Sequence, residues 1–246
     1  MDLLQELVTW FGADGRWSWT DGGGVPYRTV QHLWVSGVAV AIAVAVAVPP
    51  AMWLAHRRRA EALASAVVNL GRAVPSFGLI ILFWYVGSQV AWIGTSFWPL
   101  VLALVALALP PIFTNTYTAI RGVDPATVEA ARGVGLDERQ ILLATELPLA
   151  SPVVLAGIRV ATVQVIATTA IGAIVTNGGG LGRFIVDGFA RGRSGYGAVL
   201  GGAIAVALLT LAVDQLVALA ERRLVPRRVR GDSAPARVAD QAGAAA

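Results

Sequence analysis

The sequence predicts an all-α, polytopic integral membrane protein with about five transmembrane helices. Three observations predict it: a skewed ratio of apolar to charged residues, apolar windows of spanning length, and an uneven split of arginines between the connecting segments. Apolar residues make up 56% of the 246-residue chain and charged residues 14%, against roughly 45–50% and 25% in soluble domains. That balance excludes a soluble domain. A hydrocarbon core about 30 Å thick needs about 20 apolar residues in a helix. Windows near Val30 to Ala55, Ala64 to Ala91, Phe97 to Ala119, Pro152 to Val175 and Ala198 to Ala220 meet that length.

The elements follow in chain order, grouped as an N-terminal segment 1–29, a spanning domain 30–221 and a basic tail 222–246. Leu3, Leu4, Leu7, Val8 and Phe11 fall on one helical face, which predicts a stretch lying along the outer interface. Asp2 and Glu6 stand where a cleaved signal peptide carries basic residues, so the first span is expected to be retained. Gly22-Gly23-Gly24 links it to that span, which is predicted to kink or stop at Pro49-Pro50. Pro75-Ser76 in the second span frees a backbone carbonyl. This suits a gate hinge and a bend packed on neighbours equally well.

The fourth span carries Arg159, which either snorkels or pairs structurally, or lines a cytosolic gate. Thr162, Gln164, Thr168 and Thr169 on the same helix can wet a pathway or bond to neighbouring helices and their own backbone. Asp214 in the last span is expected to pair with Arg222 or another cation. Gly178 to Gly182 has the composition of a phosphate cradle but no following Lys-Ser/Thr, so it reads as a flexible turn before a helical stretch from Phe184 to Phe189. Trp34, Trp53, Trp92 and Trp98 stand at span ends as an interfacial belt rather than a cation cage. The tail from Arg227 to Ala246 has few large apolar residues and reads as disordered. Its arginines suit anionic lipid beside a span, not nucleic acid.

Arginine supplies all of the chain's 19 basic residues. One set of flanks holds Arg57, Arg58, Arg59, Arg121, Arg132, Arg139, Arg222, Arg223, Arg227, Arg228, Arg230 and Arg237; the opposite set holds only Arg16, Arg28, Arg183, Arg191 and Arg193. The positive-inside bias therefore puts the N-terminus outside and the C-terminus in the cytosol.

A polar island between the third and fourth spans falls on the cytosolic side. Asp124 is placed as an N-cap with Pro125 at N1, so a short helix should start there. Gly133 and Gly135 interrupt it, and Asp137 with Gln140 reads as a capping box opening a second short helix that Pro148 is expected to stop. The resulting elbow would present small Ala130 and Ala131 on one side, with Glu129, Arg132, Glu138 and Arg139 solvated. Gly135 at the joint is a position for φ > 0 or a close backbone approach.

At these residues the chain resembles the permease subunits of bacterial ABC importers. Glu129-Ala130-Ala131, then Gly135, then Leu147-Pro148 match the spacing of that family's cytoplasmic loop, with Thr145 where the family usually has Ile or Val. Val123 to Gly135, Glu146 to Ala150 and Leu155 to Arg159 look most like the branch importing glycine betaine, carnitine, choline and proline. The resemblance implies a type-I importer permease in the bacterial cell membrane. It also implies three kinds of partner: cytoplasmic ATP-binding subunits, a second permease subunit and an extracytoplasmic solute-binding protein. It further implies that Glu129, Ala130, Ala131, Gly135, Leu147 and Pro148 form an ATPase-coupling loop. Pro75, Ser76, Arg159 and Gln164 are candidates for the pathway or its gate.

No catalytic residue, metal site or cofactor is expected. The chain has no cysteine for thiolate ligands, and it has no Walker-type loop, so ATP hydrolysis would belong to the partner. Another importer branch, such as one for methionine, is the main alternative. A secondary transporter or channel would call for ionisable residues deep in the spans or for inverted repeats. A membrane enzyme would need a constellation of His, Asp or Glu, yet His32 and His56 sit at opposite ends of one span.

Overall fold

The computed structural model describes residues 3–20, 22–59, 61–62, 66–67, 69, 75–176 and 178–224. The described residues form helices joined by turns: α1 (Leu3–Phe11), α2 (Val25–His56), α3 (Ser76–Gln89), α4 (Phe97–Arg121), α5 (Pro125–Gly133), α6 (Glu138–Gln140), α7 (Leu147–Gly172), α8 (Gly182–Ala190) and α9 (Tyr196–Leu224). A π-helical segment, Ile141–Glu146, joins α6 to α7, and a 3-10 turn, Gly192–Gly195, leads into α9. The tail beyond residue 224 lies outside the described residues, as does most of the first part of the predicted second span.

Four helical stretches are long and apolar enough to cross a membrane: Val25–His56, Phe97–Arg121, Glu138–Gly172 and Gly192–Arg223. They correspond to the first, third, fourth and fifth predicted spans. The second is represented by α3, whose 14 residues rise about 21 Å at 1.5 Å each. Pro75 adopts an extended conformation just ahead of α3. The proline therefore precedes a helix, where its missing N–H costs nothing, rather than kinking one within the described residues.

α4 is the centre of the bundle. It packs against α2 on one side and α7 on the other, with α3 also against it. Leu100, Leu104 and Ile112 are fully buried along it. α2 contributes a stripe of Val35, Ala39, Ala43, Ala47, Ala51 and Ala55, a four-residue repeat of small side chains that lets helices in lipid approach closely. This explains why Pro49 and Pro50 neither stop nor break α2. The tight seam on the neighbouring residues holds the helix together across the pair.

α8, α1 and α7 pack on α9. Trp10, at the edge of the apolar face predicted for α1, is the residue that docks it, packing edge-on against Phe184 at 5.1 Å between ring centroids. Leu4 and Val8 stay more than two thirds exposed, as an interfacial helix requires. Trp34, Trp53, Trp92 and Trp98 are all exposed, in keeping with a belt. The turn before α8 is not the loose connector the sequence suggests. Gly180 has φ +51°, and a side chain there would collide with the backbone of His32. Only glycine fits that approach.

Candidate functional site

The elbow between α4 and α7 is assembled from local capping. The Asp124 side chain accepts a hydrogen bond from the Ala126 N–H at 3.0 Å, which opens α5 with Pro125 in its first turn. Asp137 and Gln140 exchange reciprocal side-chain to backbone bonds, both 2.8 Å, as a capping box does. Between the two starts, Gly135 takes φ +89°, a conformation that disfavours any residue with a Cβ.

Beyond Gln140 the structure departs from expectation, because Pro148 stops nothing. The helix continues into α7 through the π segment, whose wider turn carries the Leu147 N–H to the Leu142 carbonyl, five residues back. Proline has no N–H to give and its ring crowds the carbonyl of residue i−4. A π turn just before it relieves that crowding. The elbow is thereby fused to the fourth span.

A second correction concerns the alanines. Consecutive helical residues lie about 100° apart, so Ala130 and Ala131 do not share an accessible side. Val128 and Ala131 turn into the core while Glu129 and Ala130 face outward. The exposed surface of the elbow includes Glu129, Ala130, Gly135 and the protruding Val134 and Leu143, with Leu147 and Pro148 half-buried at its base.

The charges on the elbow are paired. Arg132 donates to both carboxylate oxygens of Glu138, at 3.0 and 3.2 Å. That bond holds the Glu138 carboxyl below its ordinary range, and the charge of Arg132 and then of His56 acts in the same sense. The pair therefore contributes fully above the ordinary carboxylate range and is lost only as pH falls through the lowered value.

Sequence reasoning missed the contact beneath. His56, the last residue of α2, places Nδ1 2.7 Å from Glu146 and Nε2 3.0 Å from Glu138. The two carboxylates sit at opposite edges of the ring, so the trio is a hydrogen-bond bridge and not a ligand set. Among the described residues no group of three acidic, His or Cys side chains could hold a metal ion. The available signal was Glu146 itself, a carboxylate at the threshold of an apolar span.

Arg159 meets Asp214 of α9 through two bonds of 2.6 and 2.7 Å, with Glu221 at 3.9 Å. Asp214 therefore pairs with Arg159 rather than Arg222. Gln164 is half-buried on the same helix, five residues on and so about 140° around it. The four pathway candidates are thus not gathered: Pro75 and Ser76 begin α3, Arg159 faces α9, and Gln164 projects elsewhere. Thr162 and Thr169 bond to carbonyls one turn back at 2.8 Å, and Thr169 also reaches Ser36 at 2.9 Å, which are helix-contact roles.

Comparison with known proteins places this architecture. The chain is 34% identical over 207 residues to the choline transport system permease protein OpuBB of Bacillus subtilis, an alignment covering 84% of this chain and 91% of that one. It is 33% identical to the carnitine transport permease protein OpuCB of Listeria monocytogenes, with 92% and 97% covered. Among solved structures, an inward-facing conformation of the MetNI methionine ABC transporter shares the fold, with a TM-score of 0.66 at 22% identity over 83% of this chain and 95% of that one. Residues 37–226, which contain the elbow, three of the four long spans and most of the first, match the family described as binding-protein-dependent transport system inner membrane component. The chain is therefore a member of that family, a membrane-embedded transport permease.

Proposed function

We propose that the chain is the permease subunit of an ATP-driven importer for osmoprotectants, small zwitterionic or quaternary ammonium solutes such as glycine betaine, carnitine, choline or proline. One observation carries the reading: the exposed elbow from Glu129 to Pro148, at the spacing typical of importer permeases, on a chain that is 31–34% identical to relatives named for choline, carnitine and glycine betaine. Its partners would be cytoplasmic ATP-binding subunits seated on Glu129, Ala130, Gly135 and Leu143, a second permease subunit, and a solute-binding protein on the face bearing α1 and α8. Membrane lipid surrounds the assembly, with the N-terminus outside and the basic tail in the cytosol. α3 would belong to a fifth crossing.

In this scheme ATP-driven closure of the partner subunits pushes the elbow. The unbroken run from α6 through α7 then rotates the fourth span about the central α4. Gating would fall to α7 and α9, where Arg159 meets Asp214, and to the start of α3 at Pro75 and Ser76, with Gln164 along the path.

Uptake of radiolabelled glycine betaine, choline, carnitine and proline by a deletion strain tests the substrate class. At least one of the four should drop to background and return when the gene is restored. Unchanged uptake of all four, with transport of an unrelated solute such as methionine lost, would move the chain to another importer branch.

A further inference from the structure

We infer that His56 is a positioning residue for energy coupling, a rivet that ties the elbow to the first span so that α2 moves with it. The inference rests on reading the elbow as the ATPase contact. The elbow is joined to α7 by the π segment and to α4 by the short turn from Gly122 to Asp124, but α2 has no such covalent link to it. The His56 ring supplies a non-covalent one, reaching Glu146 in the π segment and Glu138 at the mouth of the elbow. Glu138 in turn holds Arg132 of α5, so the contact chain runs from the helix carrying Glu129-Ala130-Ala131 to the end of a spanning helix.

Chemistry makes the bridge directional. Ionised carboxylates only accept hydrogen bonds, and a neutral imidazole has one donor, so a ring facing two of them satisfies both only with both nitrogens protonated. The charged groups around it are Glu146, Glu138 with Arg132 behind it, and Arg57, Arg58 and Arg59 on the chain leaving α2. The side chains of His56 and Glu146 are 4% and 7% exposed, so removing either partner strands a buried charge.

The end of α2 is also held rigidly. The Arg59 N–H bonds to the Leu54 carbonyl and the Arg58 N–H to that of Ala55, a Schellman closure. Arg58 occupies its left-handed position at φ 52°, and the Tyr117 hydroxyl of α4 donates to the Arg59 carbonyl at 2.9 Å. A side chain that merely filled space would not need so fixed a base.

The test uses the complete importer in proteoliposomes, with its ATP-binding subunits and loaded binding protein. It reads solute uptake and the ratio of stimulated to basal ATP hydrolysis for His56→Leu, His56→Lys, His56→Arg and Gly135→Asp. His56→Leu keeps volume without the bridge and should lower the ratio by about fivefold or more, the lower end of typical site-to-site coupling. Lys and Arg, which both keep a cation facing the two carboxylates, should recover most of it. A normal ratio and normal uptake in His56→Leu would overturn the proposal. If His56→Leu fails to assemble, the other two decide, and a low ratio in both overturns it as well. Gly135→Asp separates the premises: wild-type behaviour there removes the elbow as the ATPase contact, whereas loss there with a normal His56→Leu removes only the rivet.

Discussion

Arg159 and Asp214 form the main polar tie between α7 and α9, with Arg159 also near Glu221 at 3.9 Å. Their worth is measurable as a coupling rather than as a single loss. Arg159→Ala and Asp214→Ala should each lower the thermal midpoint of the purified permease in nanodiscs. The double variant should fall short of the sum of the two single losses, as for residues in direct contact. Strict additivity would mean that lipid headgroups or water satisfy the two charges separately. Neither the partner nor the face of Arg159 was open to pattern reasoning, since its partner lies 55 positions away. The existence of a pair was, because an arginine in a span has few ways to be satisfied.

At the scale of the element, the elbow shows which local signals survive folding. Asp124, Asp137 and Gln140 behave as the sequence predicts because a cap is a contact between residues two or three apart. Asp137→Ala should remove the N-cap bond, worth about 1 kcal/mol. Amide exchange at residues 138–141 should then speed up about fivefold, the Boltzmann equivalent of that loss, while exchange in α4 stays unchanged. Equal protection in both proteins would mean that the His56 bridge alone fixes α6. Pro148 misled because its usual effect was absorbed by a π turn, and that turn is steadied by the burial of Glu146 against a histidine 90 residues earlier. Pro49 and Pro50 did not stop α2 either, since the alanine seam that holds it continuous involves helices far along the chain.

For the whole molecule, the windows and their order were legible because hydropathy over about 20 residues is a property of the segment itself. Which faces touch was not, as Ala131 and Trp10 illustrate. Both turn inward against elements that a single-helix reading does not see. The orientation proposed from the arginines has a direct test, as the chain lacks cysteine. Single cysteines at Ser18 and Ser233 should respond oppositely to an impermeant maleimide in intact cells, Ser18→Cys labelled and Ser233→Cys protected. Labelling of both, or of neither, would contradict an odd number of crossings.

The π segment carries one residue more than an α-helix would use to close the same span of chain, and it therefore acts as a phase setting between the elbow and the fourth span. Deleting one residue from 141 to 146 would let the stretch close as regular helix with the elbow kept in phase, at the cost of bringing the Pro148 ring back against a carbonyl. Adding one would instead rotate everything upstream by about 100° and push it out by about 1.5 Å. Glu138 would swing off His56, and Val134 would aim at a different point of whatever docks beneath. Point changes along this stretch leave that angle alone, so the length of the stretch, more than its composition, fixes where the elbow points.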